Sequence, residues 1–82
     1  MVNSIDIANL RFDCLASSPE QAIYRASLSN GAYYYMIESR FSKAKRFYLW
    51  LVRPGKMPFL VRKTKNLIGI TSQVQAYIDR LN

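Results

Sequence analysis

The densest apolar run in this chain sets the pattern against which the other segments are placed. Arg46-Phe47-Tyr48-Leu49-Trp50-Leu51-Val52-Arg53 puts six consecutive apolar or aromatic residues between two arginines, and Pro54-Gly55 follows at once. The run is too short for a buried helix and rich in strand-favouring aromatics, so it predicts a central strand covered on both faces. Tyr33 to Arg40 before it and Phe59 to Lys65 after it supply the neighbouring strands.

Upstream, Leu10, Phe12 and Cys14 alternate with Arg11 and Asp13, the period of a half-buried strand, which places strand 1 at Leu10 to Leu15 with Ile5 and Ile7 extending it toward the N-terminus. Ser18-Pro19-Glu20-Gln21 then has the form of a helix start. Ser18 can cap, Pro19 suits the first helical position, and Gln21 can complete a capping box. Ala22, Ile23 and Ala26 share a helical face, and Asn30-Gly31 provides a stop that tolerates the left-handed conformation.

Downstream, Phe41 to Lys45 is a polar loop, and Arg53-Pro54-Gly55-Lys56 fits a type II turn. Pro58 marks the following strand as an edge strand. Asn66 to Ile70 is predicted as a connector containing Gly69. Ser72-Gln73-Val74-Gln75 repeats the capping-box pattern ahead of a closing helix whose stripe is Val74, Tyr77, Ile78 and Leu81. The predicted fold is a single α+β domain over residues 1–82 in the order β-α-β-β-β-α, an antiparallel meander with two helices packed on one face.

Composition narrows the function classes. Eighty-two residues, half of them apolar, suit one small globular domain rather than a disordered chain. The lone Cys14 can form no internal disulfide, and no signal-peptide pattern or apolar run of about 18 residues is present, so a cytoplasmic protein with no membrane span is expected. Histidine is absent, and the five carboxylates are scattered. Alternation with Phe12 marks Cys14 as a structural thiol, and three glycines build no phosphate loop. No catalytic group, metal site or cofactor is implied, so a non-enzymatic protein is expected.

Charge supplies the positive signal. Twelve Lys and Arg face five Asp and Glu, for a net charge of +7, and no acidic residue lies between Glu38 and Asp79. The candidate binding residues are the nine cations of that stretch, Arg40, Lys43, Lys45, Arg46, Arg53, Lys56, Arg62, Lys63 and Lys65, together with the aromatics Tyr33, Tyr35, Tyr48 and Trp50. Cations neutralise phosphates and exposed rings stack on unpaired bases, whereas core packing is the plain alternative for the rings and a solvated face for the charges. In a meander only one sheet face meets the helices, so aromatics on the other would form an interaction patch.

Two resemblances bear on this. The helix-strand-strand-strand-helix order from Pro19 to Leu81 is similar to double-stranded-RNA-binding domains in topology, although Thr71-Ser72-Gln73 stands where that family carries a lysine cluster. Ser42-Lys43, Tyr48, Trp50, Gly55-Lys56-Met57-Pro58 and Ser72 to Ile78 resemble the winged-helix core of phage excisionases and prophage regulators. In that family the serine opens a recognition helix and the glycine-to-proline segment leads into the wing. This second resemblance implies a DNA binder and requires Phe47 to Val52 to be helical.

The expected function is a small, basic, non-catalytic module that docks on an anionic partner: a nucleic acid, a nucleoprotein complex or an acidic protein surface. The rival is an inhibitor of the kind phages and mobile elements encode (anti-CRISPR-like), which binds a host protein assembly and blocks its nucleic-acid site. A homodimer joined through the aromatic face is compatible with either.

Overall fold

The computed structural model describes residues 4–40 and 46–81, the side chain of Leu81 excepted. It is a six-stranded antiparallel meander, β1 (Ser4–Ile7), β2 (Leu10–Ser17), β3 (Gln21–Ser27), β4 (Tyr33–Ser39), β5 (Arg46–Val52) and β6 (Phe59–Thr64), followed by one helix, α1 (Leu67–Leu81). Spatial order equals chain order. This corrects the expectation of two helices in a β-α-β-β-β-α arrangement.

The segment predicted as the first helix is β3. Ser18 makes the bonds of a helix cap inside a hairpin turn instead. Its hydroxyl accepts from the amides of Glu20 (3.3 Å) and Gln21 (3.2 Å), while its own amide donates to the Gln21 carbonyl (2.8 Å). Ala22, Tyr24 and Ala26 then lie on one strand face, opposite Glu38, Met36 and Tyr34 of β4. Asn30-Gly31 ends a strand rather than a helix. The turn is closed by the Leu28 amide donating to the Ala32 carbonyl at 2.9 Å, and Gly31 has the positive φ expected of it, 81°. With no helix here, the likeness to double-stranded-RNA-binding domains fails.

At the N-terminus, Ile5 and Ile7 do not extend the strand of Leu10 but form its hairpin partner. Ala8 and Asn9 make a two-residue turn with φ of 52° and 66°, the left-handed pair whose twist matches two antiparallel strands. The strands from Tyr33 onward run as expected, with two adjustments. β5 is second from the edge and is covered by the helix on one face only. Being a strand, it also excludes the recognition helix that the excisionase resemblance requires. Between β5 and β6 the Lys56 amide donates to the Arg53 carbonyl (3.1 Å) and Gly55 sits at φ 69°, as the Pro-Gly turn demands. The Phe41 to Lys45 loop lies outside the described residues, and so do Lys43 and Lys45.

Helix α1 begins earlier than predicted. Asn66 caps it, its side-chain oxygen accepting from the Gly69 amide at 3.3 Å, so Leu67 to Ile70 form the first turn and Ser72 is interior. Ile70 and Val74 are fully buried against Phe12, Tyr34, Met36, Phe47 and Leu49, and Tyr77 and Ile78 continue the stripe. Tyr77 meets the edge of Tyr34 at 5.4 Å between centroids, and its hydroxyl accepts from the Asn30 side chain at 3.4 Å. No helix among the described residues is long and apolar enough to cross a membrane.

Candidate interaction face

Strand residues alternate between faces, and a single helix can cover only one. In β4 the residues Tyr34, Met36 and Glu38 turn to the helix, which sends Tyr33, Tyr35 and Ile37 to the other side. In β5, Phe47 and Leu49 are buried under the helix, and Arg46, Tyr48, Trp50 and Val52 share the opposite face. The register places Tyr35 directly across from Trp50, Ile37 from Tyr48 and Tyr33 from Val52. From β3, Ile23 and Arg25 join them opposite Ile37 and Tyr35. Among the described residues, no other element covers this face.

Its centre is a shallow concavity of about 420 Å³ lined by Ile23, Tyr35, Ile37, Trp50, Val52 and Pro58. Cations stand around it. The Lys63 ammonium lies 5.5 Å from the centroid of the Tyr48 ring, and the Arg25 guanidinium 5.4 Å from that of Tyr33. Tyr33 and Tyr35 lie 6.3 Å apart, tilted at 49°. Toward β1 the face loses its positive excess, because Asp6 and Asp13 enter it and Arg11 is paired with Asp13 at 2.8 Å.

All four candidate aromatics are therefore brought together, but the candidate cations are not. Lys63 pairs with Tyr48 and Arg46 with Ser39 on the aromatic side. Arg62, one residue from Lys63, pairs with Leu49 and lies toward the helix side. Arg53 and Lys56 occupy the turn at the far end of the strands, and Lys65 follows the end of β6. Arg40 is taken up by the fold. It donates to the Ser18 carbonyl (2.8 Å) and the Glu38 carboxylate (3.1 Å), its amide donates to the Glu20 carbonyl (2.7 Å), and the bond to Glu38 raises its pKa. It clamps the β2–β3 turn to the end of β4.

Sequence reasoning missed Arg25, Ile23, Ile37, Val52 and Pro58 as members of this face. Arg25 and Ile23 were hidden by the helix assigned to their segment. For β5 a signal existed, since the polar-tipped rings Tyr48 and Trp50 alternate with Leu49 and Leu51. Comparison of the chain with protein-family models, curated proteins and solved structures finds no match.

Proposed function

We propose that this protein is a non-catalytic binding module that docks nucleic acid on the open face of its sheet. The observation that carries the proposal is the grouping of Tyr33, Tyr35, Tyr48 and Trp50 on one uncovered face with Arg25 and Lys63 set against two of the rings. An exposed cation–π contact is worth about 0.5–1 kcal/mol, so these two cations are easily released to a phosphate. A base stacked on the vacated ring returns about 1–3 kcal/mol. The net charge of +7 supplies long-range attraction for a polyanion.

The experiment is a salt titration of binding to random-sequence DNA and RNA oligonucleotides. Log affinity is expected to fall linearly with log salt, by about 0.7–0.9 per phosphate neutralised. The double variant Lys63→Glu/Arg25→Gln should lose most of the affinity, and Arg62→Glu/Arg80→Gln, which removes the same net charge on the helix side of the sheet, should lose much less. Binding insensitive to both salt and the first pair of substitutions overturns the proposal. A stoichiometric, nuclease-resistant complex with one protein, without affinity for free nucleic acid, would instead favour the inhibitor.

A further inference from the structure

We infer that the open face takes unpaired strands in preference to duplex, with bases laid on Trp50, Tyr35 and Tyr48 and phosphates directed to Arg25 and Lys63. This rests on the proposed nucleic-acid docking and specifies its substrate.

Shape argues first. A duplex groove about 12 Å wide admits a helix or a two-stranded ribbon. Six strands about 4.8 Å apart make a face roughly twice that width, and its middle is concave rather than protruding. Such a face cannot enter a groove. It would have to meet a duplex on its sugar-phosphate exterior.

Polarity argues second. The concavity is lined by Ile23, Tyr35, Ile37, Trp50, Val52 and Pro58, which offer phosphates no charged partner. Setting a duplex backbone there would strip water from charges and leave them unpaired. An unpaired strand can do the opposite. It turns the faces of its bases inward, which a duplex keeps stacked within itself, and leaves its phosphates at the rim.

Spacing argues third. Successive same-face residues of a strand lie about 6.8 Å apart, so Tyr48 and Trp50 in β5 offer two neighbouring platforms, and Tyr35 stands across from Trp50 as a third. That interval is about twice the 3.4 Å rise of stacked bases, so it suits bases splayed from one another rather than stacked in a helix.

The test uses the full chain and labelled oligonucleotides of about 16 nucleotides, single-stranded and duplex, as DNA and as RNA. Trp50 is the single tryptophan, so a base stacked on it quenches the intrinsic emission directly. Tighter binding of single strands, with quenching, is expected for at least one of the two sugars. Trp50→Leu should weaken single-strand binding roughly 5- to 150-fold, whereas Trp50→Phe, which keeps a ring, should retain most of it. Circular dichroism of both variants checks that the sheet is intact, and Tyr48→Leu offers a second substitution should Trp50→Leu unfold. Duplex bound as tightly as single strands, or single strands bound without quenching, overturns the single-strand inference while leaving nucleic-acid docking in place. Loss of binding to every oligonucleotide overturns both, and self-association that shifts Trp50 emission would assign the face to a second copy of the chain.

Discussion

The side chain of Thr64 occupies the space in which a β-carbon on Gly69 would stand, with Oγ1 at 2.6 Å and Cβ at 3.0 Å from that position. The last residue of β6 thus packs directly against the first turn of α1, and the glycine permits it. In an isolated helix Gly→Ala gains about 1 kcal/mol. Here Gly69→Ala should destabilise by about 1–3 kcal/mol, because overpacking outweighs propensity. Urea denaturation checks this, and the double variant Gly69→Ala/Thr64→Ala, which removes Oγ1 but keeps the Cβ at 3.0 Å, should recover part of the loss. A stabilised Gly69→Ala would show that the contact yields freely.

The two leucines of β5 should separate. Leu49 is fully buried beneath the helix, and Leu51 is only partly covered at the margin of the core. Leu49→Ala should cost about 2–5 kcal/mol, a large share of the stability of so small a domain, and Leu51→Ala distinctly less. Equal melting temperatures for the two variants would contradict the placement of Leu51 at the margin of the core rather than within it.

The revised start of α1 predicts opposite outcomes for one substitution at two sites. Ile68 is 76% exposed in the first helical turn, which carries no acidic residue. Ile68→Asp should stabilise by about 0.3–1 kcal/mol through the helix dipole. Ile78 packs against the core, so Ile78→Asp should destabilise by placing a charge against the sheet. Thermal denaturation of both variants distinguishes this from a helix that begins at Ser72, where Ile68→Asp would have no effect.

Alkaline pH should weaken the fold through Tyr34. Burial, reinforced by Tyr77 and partly offset by Arg80, pushes its phenol up to about 12 from the ordinary 10.0. The folded state thus holds this proton more tightly than the unfolded chain. Its contribution is complete below pH 10 and is lost as pH rises through about 12, a change on the order of 2–3 kcal/mol. Tyr34→Phe should flatten the pH dependence of the urea midpoint across that window. An unchanged slope would place the alkaline sensitivity elsewhere.

Local chemistry alone determined much of this protein. The strand runs at Tyr33 to Ser39, Arg46 to Val52 and Phe59 to Thr64, the Pro54-Gly55 turn and the helical stripe of Val74, Tyr77 and Ile78 are all written in short-range pattern. Near Ser18 that pattern is ambiguous for a definite reason. Ala22 and Ala26 are four residues apart, a spacing that shares a face in a helix and in a strand alike, and the Ser18 hydroxyl can serve the same two amides in a cap or in a tight turn. Pairing with β2 and β4 decides between them, and those partners, though next in the chain, lie outside the segment whose own pattern is ambiguous. The candidate face divides the same way. The aromatics and cations are visible in the chain, but Tyr33, Tyr34 and Tyr35 are chemically identical, and only sheet register against a helix sends Tyr34 inward and its neighbours outward. A slip of one residue would exchange them, and burial of Phe12, Met36, Leu49, Ile70 and Val74 in one core is what forbids the slip.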